Sequence, residues 1–194
     1  MSSELATRPL RADARRNRER VLQAARDLFA EHGLDAQMDD IAARAGVGIG
    51  TVYRHFPTKD ELVRGLVAYR FDKLREAADP WLEVDDAWEA LSGFLWDCAR
   101  LQCGNRGWAQ VTAATPLHAG TVEHERDALR EVTSQLLERA KTAGAVRADV
   151  TVDDVVMLMC GTCSVIQTTG GHDGDTRWER FFGLALDGLR AGAR

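Results

Sequence analysis

Side chains that could bind phosphate are concentrated between residues 51 and 59. Hydroxyl, imidazole and ammonium groups donate hydrogen bonds, which suits them to the anionic oxygens of a nucleic-acid backbone. Base edges could be read nearby, because glycine allows close approach, isoleucine can contact a thymine methyl group and arginine can pair with guanine. The candidate phosphate donors are Thr51, Tyr53, His55 and Lys59, and the candidate base-contacting residues are Gly48, Ile49, Gly50 and Arg54.

The cysteines point to a second possible chemistry, a redox switch or a site for a soft metal ion. Cys160 and Cys163 form a CxxC pair, and Cys98 and Cys103 form a second pair. The CxxC pair lies in an apolar segment, however, where free cysteine behaves as a small hydrophobic side chain. Zinc ligands usually lie in loops or caps, so we predict no metal site and no cofactor.

The sequence contains no pattern typical of an enzyme. It has no GxSxG, no phosphate-binding glycine loop, no HExxH and no clear pair of buried carboxylates, so we predict no catalytic residues. No apolar run reaches the ~18 residues that a membrane span needs. The N-terminus also lacks the apolar run of a secretory signal, and we therefore expect a cytoplasmic protein without a membrane partner.

The elements that must position these side chains are helices. Apolar residues recur at helical spacing along almost the whole chain, whereas the alternation typical of strands is absent. Capping boxes and prolines fall at the proposed boundaries. The three boxes are Thr58–Glu61, Thr151–Asp154 and Thr176–Glu179, and the four prolines are Pro9, Pro57, Pro80 and Pro116. We predict an all-α fold of about nine helices. After a first helix that ends at Gly33, they lie at about 39–45, 49–56, 60–77, 84–103, 106–114, 118–143, 152–169 and 176–191.

Two short helices meeting at Gly46 have the spacing of a helix-turn-helix. Gly46 suits the turn because it tolerates a positive φ, and Ala42 is small enough for a close helix crossing. Val52 and Phe56 lie four residues apart and would bury one side of the second helix. The opposite side would then be free to enter a DNA major groove. A helical hairpin without any DNA role remains the alternative at this point.

Positive charge is concentrated at the N-terminus although the whole chain is acidic. Residues 1–60 carry ten Lys or Arg and nine Asp or Glu, net +1, whereas residues 61–194 carry fifteen and twenty-one, net −6, which together give the net charge of −5. We predict a flexible basic arm over residues 1–14, which suits an anionic partner that touches one end of the molecule. Arginines in the first twenty residues are Arg8, Arg11, Arg15, Arg16, Arg18 and Arg20.

An ordered set of motifs covers residues 21–67. The pieces are Val21-x-x-Ala24-Ala25-x-x-Leu28-Phe29-x-x-x-Gly33, Asp40-Ile41-Ala42-x-x-Ala45-Gly46-Val47, Gly50-Thr51-Val52-Tyr53-x-His55-Phe56 and Lys59-x-x-Leu62. This segment resembles the N-terminal domain of the TetR family of bacterial transcriptional regulators. The resemblance implies a three-helix DNA-binding domain over residues 15–77 and a helical ligand-binding and dimerisation domain over residues 78–194.

The same resemblance implies roles for individual residues. Thr51, Tyr53, His55 and Lys59 would contact the DNA backbone, and Gly48, Ile49 and Gly50 would face bases. The family usually has Thr or Ser opening the second helix and touching phosphate. Gln37 stands there in this chain, and we expect it to take over that contact.

The last two predicted helices are expected to form a homodimer. Residues 155–166 are apolar on nearly all sides, so this helix should be buried all round, and a second subunit would cover what the chain itself does not. Ordinary core packing is the alternative. The predicted dimerisation residues are Val155, Val156, Met159, Cys163, Trp178, Phe181, Phe182, Ala185 and Leu189.

The TetR family binds small-molecule inducers in its middle helices, which correspond to residues 84–143 of this chain. An apolar set with a few polar groups suits such a pocket, although core packing explains each residue equally well. The scarcity of cations in these helices argues against a strongly anionic ligand. The predicted ligand-binding residues are Trp88, Leu91, Phe94, Leu95, Cys98, Trp108, His118, Met157 and Gln167.

These expectations combine into a homodimeric, ligand-responsive regulator of transcription. We expect a repressor that binds a palindromic operator on double-stranded DNA, is released by a small-molecule inducer and is associated with the bacterial nucleoid while bound. One alternative is a regulator that senses thiol oxidation or metals through Cys160 and Cys163. The other is a helical ligand-binding module with no DNA role.

Overall fold

The described part of the chain is almost entirely helical. The computed structural model describes residues 4–103, 123–170 and 175–192. Its helices are α1 (Glu4–His32), α2 (Met38–Ala45), α3 (Ile49–His55), α4 (Lys59–Glu76), α5 (Asp79–Leu82), α6 (Ala87–Cys103), α7 (Glu123–Thr142), α8 (Val152–Thr169) and α9 (Arg177–Asp187), with a 3₁₀ turn at Gly33–Asp35. Within these ranges the only extended pairing is one isolated bridge between Val146 and Arg190. The predicted all-α fold is therefore confirmed.

The predicted helix boundaries agree with the structure to within a few residues. The helix predicted over 152–169 is α8 without change, whereas α6 begins later than predicted and α9 ends earlier. The short α5 was missed, although Pro80 in its first turn is a common start signal. The predicted helix over 106–114 and the first residues of the one predicted over 118–143 lie outside the described residues.

The N-terminus differs from the sequence prediction. A flexible arm was expected over residues 1–14, but α1 already begins at Glu4. Residues 5–14 are rich in leucine, alanine and arginine, which have high helix propensities and can continue the helix toward the N-terminus. Pro9 was expected at a helix boundary, but it lies inside α1, so that expectation was wrong.

The helix starts show which capping predictions hold. Thr151 and Asp154 form both halves of a capping box at α8, with Asp154 N donating to Thr151 Oγ1 over 3.2 Å. At α4, Glu61 N donates to Thr58 Oγ1 over 3.2 Å. The box predicted at Thr176 is wrong, because the side chain of Asp175 accepts the hydrogen bond of Arg177 N there instead, over 2.8 Å.

The described residues divide into two compact units. Those up to Tyr69 form the N-terminal unit, and those from Arg70 onward form the C-terminal unit. The division therefore falls inside α4, before the domain boundary expected after residue 77. Among the described residues, no helix is both long and apolar enough to cross a membrane.

The N-terminal unit has a small core contributed by its first four helices. The apolar stripe of α1 is buried as its spacing predicts, and α2, α3 and α4 pack against it. The fully buried large side chains of this core are Leu22, Phe29, Ile41, Leu62 and Leu66.

The C-terminal unit has its own core between α6, α7, α8 and α9. Trp96 contacts Phe182 edge to face, with ring centroids 4.8 Å apart. Trp81 crosses α6 at Gly93, where a Cβ atom would lie 2.2 Å from the indole, and its Nε1 donates to Asp97 Oδ2 over 2.8 Å. The remaining large, fully buried side chains of this core are Phe94, Leu91, Leu95, Leu136, Leu137 and Ile166.

Candidate functional site

The turn between α2 and α3 is built around Gly46. This residue has φ 63° and ψ 40°, a left-handed conformation that ends α2. Its carbonyl oxygen accepts a hydrogen bond from Arg20 Nη2 of α1 over 3.2 Å. Val47 N donates to Ala42 O over 3.1 Å and directs the chain into α3. The structure thus has the turn expected of a helix-turn-helix.

The inner side of α3 is held by two apolar residues, as predicted. Val52 and Phe56 are buried against α1, α2 and α4. The Phe56 ring lies against Gly65 of α4, where a Cβ atom would come within 2.6 Å of Cε1. On the α2 side, Ala42 and Ala45 are buried, and their small size allows the close crossing.

The outer side of α3 faces solvent. Ile49 is 36 % and Tyr53 48 % exposed, although both are large and largely apolar. Cβ atoms added at Gly48 or Gly50 would have nothing within 4 Å, so the backbone is open to close approach. Arg54 is exposed, and Thr51 and Lys59 are partly exposed. The structure therefore brings the predicted base-contacting residues and the predicted phosphate donor Tyr53 to one accessible surface, which we call the α3 outer face: Gly48, Ile49, Gly50, Tyr53 and Arg54.

His55 is placed differently from the other predicted phosphate donors. Its Nε2 atom is buried and has no hydrogen-bond partner within the described part of the chain. Burial lowers the pKa of His55, and the positive charges of Arg54 and Arg18 lower it further. The imidazole is therefore held neutral, and Nε2 does not reach a phosphate in this conformation. No local sequence pattern predicts that the Nε2 edge of the His55 imidazole is buried.

Gln37 lies at the start of α2, as expected, but its amide is engaged locally. Nε2 donates to Asp35 O over 2.7 Å, and the side chain makes no capping hydrogen bond to α2. Asp39 and Asp40 follow in the first turn of the helix and are exposed. A phosphate approaching this end would meet two carboxylates, which makes Gln37 the least supported of the predicted DNA contacts.

An ion pair joins α2 to α1 beside this site. Arg44 donates through both terminal nitrogens to the two carboxylate oxygens of Glu31, each over 2.9 Å. This pairing lowers the pKa of Glu31 and raises the pKa of Arg44. The bidentate geometry fixes the direction of α2, although both side chains are too exposed for the pair to add much stability.

The predicted dimerisation residues divide into two groups. Val156 and Phe181 are exposed, whereas Met159, Cys163 and Ala185 are partly exposed. The others are buried in the core of the C-terminal unit, because they lie on the side of α8 or α9 that packs against other helices of the same chain. They are Val155, Trp178, Phe182 and Leu189.

Two exposed apolar residues were missing from that prediction. Met157 is 69 % and Leu184 is 63 % exposed. Leu184 lies three residues after Phe181, so helical spacing alone could have placed both on one side of α9. Because α8 packs against α9, we group the large exposed apolar residues of these two helices under one name, the α8–α9 face: Val156, Met157, Phe181 and Leu184.

The predicted ligand-binding residues are likewise only partly brought together. Leu91, Phe94, Leu95 and Cys98 lie side by side in the core, and Trp88 packs at its edge with the guanidinium of Arg190 4.7 Å from its ring centroid. Met157 and Gln167 are exposed and do not join this group. Trp108 and His118 lie outside the described residues.

A cation that the sequence prediction overlooked lies near Cys98. Arg70 of α4 donates a hydrogen bond to Cys163, and the thiols of Cys160 and Cys98 are also close enough to influence its pKa. Burial lowers the pKa of Arg70 and raises those of Cys98 and Cys163. Arg70 of α4 therefore brings to the predicted ligand-binding residues a positive charge that the middle helices do not supply. No group of three possible metal ligands occurs among the described residues.

Two family models match this chain. The model described as "Bacterial regulatory proteins, tetR family" matches residues 21–66, which include α2 and α3. The model described as "Transcriptional regulator SbtR-like, C-terminal domain" matches residues 86–191. Together they cover most of both units.

Curated relatives and a solved structure agree with these models. The HTH-type transcriptional regulator TtgW of Pseudomonas putida is 38 % identical over 81 residues, 41 % of this chain and 60 % of TtgW. SrpR of the same species is 30 % identical over 139 residues, 69 % of this chain and 65 % of SrpR. The matches thus span less than two thirds of either relative. The TetR transcription regulatory protein of Mycobacterium vanbaalenii is 36 % identical with a TM-score of 0.71, over 94 % of this chain and 99 % of that one.

Proposed function

Since this chain belongs to the TetR family of bacterial regulatory proteins, we propose that it is a DNA-binding repressor whose affinity for an operator is controlled by a small molecule. The observation that carries the proposal is the α3 outer face. Large apolar side chains and open glycines lie together there on the solvent side of a helix whose inner side is fixed by Val52 and Phe56. A surface of this kind fits the major groove.

The polar groups around this surface divide into two roles. Tyr53 and Thr51 can donate hydroxyl hydrogen bonds to phosphate oxygens, and Lys59 adds a positive charge at the start of α4, where backbone N–H groups also favour an anion. Ile49 and Arg54 point toward the bases, with Gly48 and Gly50 allowing the backbone to approach them. Phosphate contacts then fix the position of the helix, while base contacts select the sequence.

We further propose that the functional form is a homodimer joined through the α8–α9 face. Four large apolar residues exposed on two adjacent helices are costly in water and mark an interaction surface. A twofold axis through this face would pair the same residues of two subunits. The two α3 helices would then read two half-sites of a palindromic operator, one helical turn (~34 Å) or a multiple apart.

The C-terminal unit is proposed to bind the effector. The α4 helix runs from one unit into the other, so a ligand that shifts its C-terminal half, which begins near Arg70, would alter the position of α3. Ligand and DNA would then weaken the binding of each other by the same factor, as linkage requires. Calorimetric titration of an effector with and without bound operator would reveal this factor, and equal affinities would exclude the mechanism.

The test of DNA binding begins with selection of host genomic fragments by the immobilised protein, followed by fluorescence anisotropy with the enriched duplex. Tyr53→Ala should weaken binding to every duplex and reduce its salt dependence, because a backbone contact is lost. Ile49→Ala should instead reduce the discrimination between enriched and unrelated duplexes. Leu101→Ala, which changes a similarly exposed side chain of the C-terminal unit, is the control.

Failure to enrich any fragment would favour the ligand-binding module without a DNA role. The thiol-sensing alternative has less support, because burial raises the pKa of Cys98 and Cys163 and so keeps their thiols protonated. Replacing Cys160 and Cys163 by alanine should therefore leave release by the effector unchanged. Loss of the response in that double variant would restore the sensing hypothesis.

A further inference from the structure

The arginines at positions 15 to 20 of α1 have different surroundings. Arg15 pairs with Glu19 at 3.7 Å, and Arg16 pairs with Asp13, both on the same helix. Arg20 donates to the Gly46 carbonyl. Arg18 differs from all three, because its guanidinium carbon lies 5.4 Å from the centroid of the Phe56 ring, and no carboxylate pairs with it within the described residues.

Phe56 fixes the position of this guanidinium. Its ring is buried, directly follows α3 and contacts Gly65 on the opposite helix, so it offers a rigid surface to Arg18. A guanidinium over an aromatic ring is attracted through its π face. The N–H donors at its edge remain available to a planar or tetrahedral anion.

Two further nitrogen-containing side chains lie at the same corner. The charges of Arg18 and Arg54 both act on His55, whose ring lies 6.3 Å from that of Phe56. Arg18 and Arg54 therefore both lie within electrostatic range of the same imidazole. Two positive charges gathered without a paired carboxylate repel each other, and an anion placed between them removes that repulsion.

We propose that Arg18 binds a backbone phosphate of DNA beside the C-terminal end of α3, where the positive charge of the base-contacting Arg54 adds to the attraction for the phosphodiester. This inference rests on the proposed DNA-binding function and adds a contact from α1, on the opposite end of α3 from Gly48. The arginine forms charge-assisted hydrogen bonds through the free edge of its guanidinium. It contributes affinity without sequence preference, because phosphate is the same at every position.

The salt dependence of binding tests the proposal. The full chain is titrated into a fluorescein-labelled duplex of mixed sequence at several salt concentrations between about 50 and 200 mM. Arg18→Ala should weaken binding about threefold to tenfold and reduce the magnitude of the slope of log K against log salt by about 0.9, the value for one phosphate contact. Arg18→Lys keeps the charge and should retain most of the slope.

Arg16→Ala is the matched control, because it removes an arginine from the same helix that is already paired with Asp13. It should leave affinity and slope unchanged. Thermal unfolding of each variant shows whether the N-terminal unit remains folded. Tyr53→Ala, measured on the same duplex, reports on the proposed function separately.

Four other outcomes would overturn the proposed contact between Arg18 and phosphate. Wild-type binding that Tyr53→Ala weakens and Arg18→Ala leaves unchanged would overturn the Arg18 contact and keep the proposed function. A loss of affinity in Arg18→Ala with an unchanged slope would assign Arg18 a purely structural role beneath α3. Equal losses of DNA affinity in Arg16→Ala and Arg18→Ala would show a general effect of removing positive charge, and would overturn the specific Arg18 contact. Absence of wild-type binding would overturn both proposals.

Discussion

Gly46 and Gly50 are four residues apart, yet they serve α3 in opposite ways. Gly46 has a positive φ, and a Cβ atom there would lie 2.7 Å from Arg20 Nη2. Gly50 lies within the helix, and the space beside it is empty. The first glycine is required by the fold of the turn, whereas the second is required, on our proposal, by the approach to DNA.

Alanine substitutions should separate these two requirements. Gly46→Ala should lower the free energy of unfolding by about 1–2 kcal/mol, because a left-handed conformation is strained for any residue with a Cβ atom. Gly50→Ala should raise it by up to about 1 kcal/mol, since alanine has the higher helix propensity, but should weaken DNA binding. Urea unfolding and anisotropy measure the two effects. Tight DNA binding by Gly50→Ala would show that this part of α3 lies away from the groove.

The protonation state of His55 gives a second prediction for a single residue. Its pKa is lowered from 6.5 in the folded protein, mainly by burial and then by Arg54 and Arg18, so the unfolded chain binds the proton more readily. Stability from this group is therefore complete above pH ~6.5 and is lost as the pH falls toward the lowered pKa. We expect the urea midpoint to decrease between about pH 7.5 and 5.5, and to decrease less in His55→Gln. An identical decrease in both proteins would contradict the buried, neutral imidazole.

At the scale of elements, α7 organises the connection between α5 and α6. Arg139 Nη1 donates to Leu82 O over 2.9 Å, and Nη2 donates to Val84 O. One partly buried side chain thus satisfies two carbonyl groups that end a very short helix and its following loop. Trp81, at the centre of that helix, is in turn fixed to α6 through Asp97.

Arg139→Ala should consequently destabilise the C-terminal unit. Loss of two hydrogen bonds to a charged donor should lower the free energy of unfolding by about 2 kcal/mol. Glu138→Ala, which removes an exposed partner of Lys141 on the same helix, should change it by less than about 0.5 kcal/mol. Chemical unfolding of both variants distinguishes them. Equal stability would mean that α5 and its loop are held by Trp81 alone.

At the scale of the whole molecule, the proposed homodimer depends on the α8–α9 face. The side of α9 that contains Trp178 and Phe182 is buried in the core of the C-terminal unit, whereas the side that contains Phe181 and Leu184 is exposed. An interface of this kind needs a well-packed apolar centre, which the long side chains of Met157 and Leu184 can supply.

Leu184→Arg should therefore convert a dimer into a monomer. A charge on this face cannot be buried against its symmetry copy without a partner, and the monomer should also bind the operator much more weakly because only one half-site is engaged. Sedimentation and anisotropy measure the two effects. Leu101→Arg, a charge on another exposed apolar residue, should leave the dimer intact. A dimeric Leu184→Arg variant would place the interface elsewhere.

The sequence by itself determined the helices, the turn at Gly46 and the inner and outer sides of α3. These features depend on local signals, such as capping residues, prolines and apolar residues four apart, which act over a few positions of the chain. The resemblance of residues 21–67 added the expected DNA-binding role, and the matches of both units to TetR-family models confirm the family.

Only the tertiary structure decided which of two apolar sides is covered and where particular arginine side chains lie. Periodicity shows that α8 and α9 are apolar, but burial of Val155 and exposure of Met157 depend on α6 and α7, which are distant in sequence. The proximity of Arg70 to Cys163, and of Arg18 to Phe56, likewise depends on how separate helices pack. Such contacts result from long-range packing, which no short window of residues encodes.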